Sequence, residues 1–429
     1  MNLIQGRPVD NAQIHKYMPD LQNLIGQTLK KPLLSPETVI SACERLAAAL
    51  PDSAVLAVLE GLDMGSAQAR EYLKDLRLIF SSEYLHQRLI SELGESYGEL
   101  IIKTPLDISG VVEEQIYPLG VLLHIAAGNM DGLPAYSVIE GLLAGNINLL
   151  KLPSVDGGLT VMLLQKICEI EPVLSEYIYV FELSSKENAS ISELIRLSDG
   201  VVVSGGDEAV AAIRKITPPN TRLIEWGHKL SFAYVTKDGI IEDKLRGLAH
   251  NICMTNQLLC SSCQGIFLDT SSKEELMEFC DMFLPILESI AGEYPDIPLA
   301  AKAQNTLRLH TRKLENAYGC QAEIFKGVYS SISLERDSEL ELSLQFRNLW
   351  VKSLERNQII THLHPYKNHL QTAALLCGEE ERALLRDMLW RAGVVRVSGG
   401  EDMSRSYCGS AHDGDYPLRR YTRTVSAQQ

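Results

Sequence analysis

The segment Asn256-Gln257-Leu258-Leu259-Cys260-Ser261-Ser262 puts a cysteine in a polar turn between a helical pattern and a strand-like run. Small hydroxyl neighbours leave its sulfur accessible. The thiolate is the attacking form of a cysteine, so a thiol in an open polar turn is a candidate nucleophile, with an unreactive loop cysteine as the plainer alternative. Cys253 falls within the preceding helical pattern and Cys263 abuts the strand; both read as buried, inert thiols. A zinc site built on these three cysteines would need a fourth ligand and a further cysteine pair, which the sequence does not offer, so no metal is expected.

Other candidates stand where short apolar runs end. Gly128-Asn129 follows one such run and offers a carboxamide donor. Lys151 closes a second and is followed by Leu152, Pro153 and Ser154, a cation and a hydroxyl suited to ribose or phosphate. Ser204-Gly205-Gly206 follows a fourth run and feeds a helix N-terminus, where an anion can be received. Glu225 lies just beyond a fifth. Each has a plain reading as well: Asn129 as a turn residue, Lys151 as a solvated strand end, Gly205-Gly206 as a strand-to-helix turn capped by Asp207 and Glu208. There is no G-x-G-x-x-G fingerprint.

The elements that must position these residues are βαβ units. Strands are predicted at Gly120 to Ala126, Ile147 to Leu152, Tyr177 to Phe181, Gly200 to Val203 and Thr221 to Ile224. Helices alternate with them at Leu133 to Leu143, Leu159 to Ile170, Ile191 to Leu197 and Glu208 to Ile216. That alternation means a doubly wound parallel sheet, in which ligands bind beyond the carboxyl ends of the strands. A second α/β segment is predicted with strands Ser231 to Val235 and Gln264 to Leu268 around a helix Glu242 to Leu258. The first hundred or so residues read as helices, beginning with Ser35-Pro36-Glu37 as an N-cap, a first-position proline and an acid, and continuing through Val55 to Leu62 and Ala67 to Leu93. The end, Leu418 to Val425, has strand character of the kind that adds to a sheet. The expected domains are 1–116, helical; 117–229, cofactor-binding; 230–402, carrying the thiol; and 403–429, a returning and oligomerising tail.

Composition limits the function classes. The 429 residues are 45% apolar and 22% charged, those of a folded protein. Forty basic against 55 acidic side chains give a net charge of −15, which argues against nucleic acid and anionic membranes as partners. No apolar run reaches the roughly 18 residues of a membrane span. The N-terminus lacks a basic and an apolar signal region, and nine scattered cysteines fit free thiols, so a reducing cytoplasm is expected.

Three stretches carry a family resemblance: PLGVLLHIAAGNMDGLPAYSVIEGLLAGNINLLKLPS (Pro118 to Ser154), NQLLCSSCQ (Asn256 to Gln264) and AHDGDYPLRRYTR (Ala411 to Arg423). The sequence resembles the aldehyde dehydrogenase superfamily, and within it the luminescence-type fatty acyl-CoA reductases (LuxC). The resemblance implies an aldehyde-dehydrogenase-like α/β fold with Cys260 as catalytic thiol, Asn129 stabilising the oxyanion, Lys151 on the adenosine ribose and Gly205-Gly206 before a cofactor-facing helix. Glu225-Trp226-Gly227-His228-Lys229 is similar to the superfamily's Glu-x-Gly-x-Lys segment, which makes Glu225 a candidate acid or base, and a strand-end residue otherwise. Two departures stand out. The Gly-Gln pair before the thiol is Gln257-Leu258 here, and the acid that contacts the ribose hydroxyls is replaced near its place by Ser154.

What the resemblance implies is NADPH-dependent reduction of a fatty acyl-CoA or acyl-protein thioester to an aldehyde through an acyl-cysteine. An acyl-protein synthetase or acyltransferase partner and a homo-oligomer go with it. An aldehyde-oxidising enzyme of the same fold and an acyl-carrying subunit without redox activity are the alternatives. NADPH is expected over NADH because Ser154 presents a hydroxyl where a carboxylate would repel a 2′-phosphate.

Overall fold

The computed structural model describes residues 2–61, 66–105, 107, 110–126, 132–153, 157–295, 297–317 and 322–428. The chain divides into two units, Met1–Gly227 with Tyr407–Gln429, and His228–Ser406. In the first, β1 (Asn2–Ile4) and β2 (Arg7–Val9) lead into α1 (Asn11–Thr28), α2 (Pro36–Ala49), α3 (Asp52–Gly61), α4 (Ser66–Ile79) and α5 (Ser82–Leu93). After β3 (Ile101–Lys103) and β4 (Val112–Pro118) the alternation begins. It runs β5 (Val121–Ile125), α6 (Leu133–Leu143), β6 (Ile147–Lys151), α7 (Leu159–Ile170), β7 (Ile178–Phe181), α8 (Asn188–Arg196), β8 (Gly200–Ser204), α9 (Asp207–Ile216) and β9 (Arg222–Trp226).

The sheet order is β2-β1-β7-β6-β5-β8-β9, parallel from β7 to β9. VLLHI, INLLK, IYVF and GVVVS are almost wholly buried, as strands covered on both faces must be. The winding reverses beside β5, between β6 and β8, which makes the carboxyl end of β5 the switch point of the sheet. Helix α6 is buried at eight of its 11 residues. Gly141 lets it approach β6: a Cβ there would fall 1.8 Å from Asn148 Oδ1.

That approach encloses His124 on β5. Asn148 Nδ2 is committed to Asn146 O at 2.7 Å, so its Oδ1 accepts from His124 Nε2 at 3.0 Å, and Ser137 Oγ donates to Nδ1 at 2.8 Å. Burial pulls His124 down to about 4 from 6.5, with the bond to Asn148 pushing weakly the other way. Below pH 6.5 the unfolded chain binds a proton that the folded chain refuses. Stability is therefore present above 6.5 and lost as pH falls towards 4, by about 2 kcal/mol at pH 5. His124→Gln should flatten that acid branch when urea midpoints are compared at pH 7.5 and 5.0; an unchanged branch would mean that His124 titrates normally.

The stretch to residue 116, expected to be helical, also holds four strands. Three are only three residues long, too short for an alternation to show in sequence. The helical reading Ala67 to Leu93 breaks in two because Ser81 caps a new helix, its Oγ accepting from Tyr84 N at 3.3 Å. Ser35 occupies the N-cap position of α2, but its side chain makes no capping bond and Pro36 alone marks the start. In the tail, Pro417 opens a short helix α15 (Pro417–Arg420), and only then does β17 (Thr422–Gln428) begin. β17 pairs antiparallel with β4 of its own chain, Thr422 opposite Pro118 and Gln428 opposite Val112.

The second unit contains β10 (Leu230–Val235), α10 (Glu242–Thr255), β11 (Cys263–Leu268), α11 (Lys273–Ala291), α12 (Leu299–Ala317), β12 (Glu323–Lys326), β13 (Ser331–Leu334) and β14 (Asn348–Ser353). It continues with α13 (Ile359–Leu363), β15 (Leu370–Leu376), α14 (Glu379–Ala392) and β16 (Arg396–Ser398). The order is β12-β13-β14-β11-β10-β15-β16, with only β12 antiparallel to its neighbour. Alternate residues feed two cores, Ala233, Val235, Ile266 and Leu268 on one face, Phe232, Tyr234 and Phe267 on the other. Among the described residues no helix is long and apolar enough to cross a membrane.

Candidate active site

Helix α10 ends at Thr255, and the chain then turns through two left-handed non-glycine residues, Asn256 (φ +46°) and Gln257 (φ +62°). Thr255 Oγ1 accepts from Gln257 N at 3.2 Å, and Ser262 Oγ accepts from Leu259 N at 3.1 Å. A second left-handed run, Gln345-Phe346-Arg347, braces the first: Phe346 N donates to Asn256 O at 2.9 Å and Arg347 Nε to Asn256 Oδ1 at 3.3 Å. Arg347 is itself buried, its guanidinium capping Ala291 O and Pro295 O. Five such residues cost on the order of 1–3 kcal/mol each, so the surrounding bonds must hold the turn in place.

Cys260 sits in this turn and is exposed, at the amino ends of β10, β11 and β15. Its sulfur accepts from Gln371 Nε2 at 3.2 Å, and its carbonyl from Ser231 Oγ at 2.7 Å. Ser231 Oγ in turn accepts from Thr372 N at 3.0 Å. Cys253 and Cys263 are buried as expected, and burial pushes both thiols up to about 12. Gln257, in place of the superfamily's glycine, is wholly buried and ties the turn to β11 through Nε2 to Cys263 O at 2.9 Å.

In the first unit Lys151 ends β6 with its side chain mostly buried; burial draws its amine down, and Glu187 opposes that. Ser204 ends β8, Gly205 N donates to Trp226 O at 3.1 Å, and Gly206 occupies the N-cap position of α9. A side chain at Gly206 would meet nothing within 4 Å, so the approach to that terminus is open, although Asp207 and Glu208 already place two carboxylates in its first turn. Glu225 is not a free carboxylate: Arg214 of α9 grips both its oxygens, Nε to Oε1 at 2.9 Å and Nη2 to Oε2. Asn129 and Ser154 lie outside the described residues. Among the described residues no cluster of His, Cys, Asp or Glu is placed to hold a metal ion.

Sequence reasoning did not find Gln371, Ser231 or Arg347. Gln371 and Arg347 reach Cys260 and Asn256 across 111 and 91 residues, and no local pattern marks either of them.

Residues 34–424 match the family model described as acyl-CoA reductase (LuxC). The chain belongs to that family. The LuxC-family chain is 23% identical over 363 residues to the long-chain acyl-protein thioester reductase of Vibrio harveyi, covering 82% of this chain and 72% of that one. It is 24% identical over 387 residues to the protein of the same name from Photorhabdus luminescens, at 85% and 78% coverage. For the Aliivibrio fischeri protein the figures are 25% over 321 residues, covering 73% of this chain and 64% of the relative. Among solved structures it is similar to an NAD-dependent aldehyde dehydrogenase from Sinorhizobium meliloti, with a TM-score of 0.77, 13% identity and coverage of 100% and 94%. An NAD-dependent benzaldehyde dehydrogenase from Corynebacterium glutamicum gives 0.69, 13%, 99% and 91%. At that identity the likeness is one of fold, and the fold is the aldehyde-dehydrogenase-like one expected from the sequence. Membership of the acyl-CoA reductase family makes this chain an oxidoreductase.

A nicotinamide cofactor fits what the first unit offers. Beyond the carboxyl ends of β6 and β7 lies a cavity of about 920 Å³, lined among others by Pro51, Pro153, Gly158, Lys166, Ser184 and Glu187. That is ample for the adenosine half of a dinucleotide. The N-terminal strand supports one wall: Asn2, fully buried, bonds Asn11 through Nδ2 at 2.6 Å and takes Glu182 N on Oδ1 at 2.7 Å.

Proposed function

We propose that this LuxC-family protein reduces fatty acyl thioesters to aldehydes, with Cys260 as acyl acceptor and NADPH as reductant. The observation that carries the reading is the sulfur of the exposed Cys260, bonded by a buried amide in a turn braced from three sides. Sγ attacks the thioester carbonyl carbon, the donor thiol leaves, and an acyl-cysteine remains. NADPH, held by Lys151, the segment with Ser154, and Ser204-Gly205-Gly206, would supply the hydride for that acyl carbon. Asn129 and the Cys260 N–H donate to the oxygen as it gains charge. Collapse releases aldehyde and returns the thiolate. The donor is a CoA or protein thioester; the relatives' names favour a protein-bound acyl group, and a synthetase or acyltransferase partner would load it.

Incubation with acyl-CoAs of increasing chain length and either NADPH or NADH tests the reading, with NADPH expected to give free aldehyde at the higher kcat/KM. Ser154→Glu should swing the ratio towards NADH by at least roughly tenfold, since like charges against the 2′-phosphate cost on the order of a few kcal/mol. Acylated protein without aldehyde would instead make it an acyl carrier. Aldehyde consumption to acid with NADP⁺ alone would make it an oxidising enzyme.

Arg214 engages both oxygens of Glu225. We therefore expect Glu225→Gln to leave Cys260 acylation unchanged and to slow aldehyde formation less than tenfold, where loss of a general acid or base costs about 10²- to 10⁴-fold. A hundredfold loss in single-turnover reduction would assign Glu225 to proton transfer.

A further inference from the structure

We propose that Gln371 is a positioning residue that holds Cys260 in its thiolate form and eases its departure as a thiolate, a role that rests on Cys260 being the acyl acceptor. Gln371 is the second residue of β15, only 9% exposed, and its Nε2 reaches the sulfur at 3.2 Å. The neighbouring backbone is fixed independently: Ser231 Oγ on β10 donates to Cys260 O and accepts from Thr372 N, so the strands that carry Ser231 and Gln371 hold both the carbonyl and the sulfur of one residue. The amide is therefore aimed at Sγ by a buried strand and does not swing freely.

An N–H donor bonds a charged sulfur more strongly than a neutral thiol or a thioester sulfur, and so favours the ionised form. The bond is strongest before attack, weakens once the sulfur is acylated, and returns when the thiohemiacetal C–S bond breaks and its electron pair goes back to sulfur. Gln371 thus acts on both covalent steps through the same atom. It takes no proton and needs no further reactant.

Alkylation of Cys260 by iodoacetamide, read on its own peptide across pH 5 to 10, tests this. In Gln371→Met, similar in length and apolar, the midpoint of the profile should rise by about one pH unit, which is roughly tenfold less thiolate at neutral pH. Gln371→Glu, with a carboxylate beside the sulfur, should move it further the same way. At high pH both variants should equal or exceed the parent, because a more basic thiolate is the better nucleophile. A variant that merely loosened the turn would change the rate at every pH. Parent-like midpoints in folded Gln371→Met and Gln371→Glu, checked by thermal melting, would overturn the proposal. The alkylation profile does not depend on whether Cys260 accepts acyl groups. Failure of that reading shows separately, as acyl label persisting in Cys260→Ala.

Discussion

Cys260→Ala is expected to lose all labelling by a radioactive acyl thioester and all acyl-dependent NADPH oxidation, while Cys253→Ala and Cys263→Ala label as the parent does. The contrast follows from burial. Cys253 and Cys263 are 1% and 0% exposed and pushed up to about 12, so at neutral pH only about 10⁻⁵ of either thiol is ionised. Cys168 and Cys280 are buried and pushed equally high, and burial raises Cys408, which also donates to Tyr84 O. Among the described cysteines Cys260 is the one that is exposed. Removing a nucleophile that no neighbour can replace costs on the order of 10⁶-fold, which a turnover assay reads as zero. Mapping the label by peptide makes the test decisive: label on another cysteine peptide, Cys320 included, would move the acyl site and with it the proposed mechanism.

Much of the fold was legible because burial on both faces writes itself into sequence as unbroken apolar runs. VLLHI, INLLK, IYVF and GVVVS stand out for that reason, and the helices between them fall within about three residues of expectation. The edge strands were not legible. β1 and β2 are three residues each: β1 is placed by pairing with β7, more than 170 residues away, and β2 pairs with β1. The turn at Cys260 was visible as a change of texture from helix to small polar residues. Its partners were not, because Gln371 sits in LQTAALL, where it reads as one polar residue in a buried strand. Glu225 shows the converse: strand-end position suggested an available carboxylate, and only the three-dimensional placement of Arg214 shows both oxygens engaged. Long-range side-chain pairing has no local signature. It is what the sequence least discloses.

The ion cluster around Arg88 follows the same logic and carries the largest expected effect on stability. In sequence Arg88 and Glu92 are an i, i+4 pair on a helix, ordinarily a solvated face worth a few tenths of a kcal/mol. In the structure their side chains are 9% and 0% exposed, with Nε to Oε1 at 2.7 Å. Arg88 also bonds Glu140 and Tyr136 of α6, and Glu92 Oε2 accepts Leu418 N of α15 at 2.8 Å. Burial would by itself loosen the guanidinium proton, but Glu140, Tyr136 and Glu92 more than offset it, so Arg88 stays charged and joins α5, α6 and the tail. Arg88→Leu leaves two carboxylates without their counterion and is expected to cost about 3–5 kcal/mol, the range for one partner removed from a buried pair. Because the two units need not unfold together, the readout is hydrogen exchange in peptides of α5, α6 and β17 across a urea series. Adding Glu92→Gln and Glu140→Gln to Arg88→Leu should recover at least half of the loss, since the cost lies in the stranded charges and not in the missing guanidinium contacts. A loss below about 1 kcal/mol, the range of an exposed pair, would show that water reaches the cluster and that the tail does not depend on it.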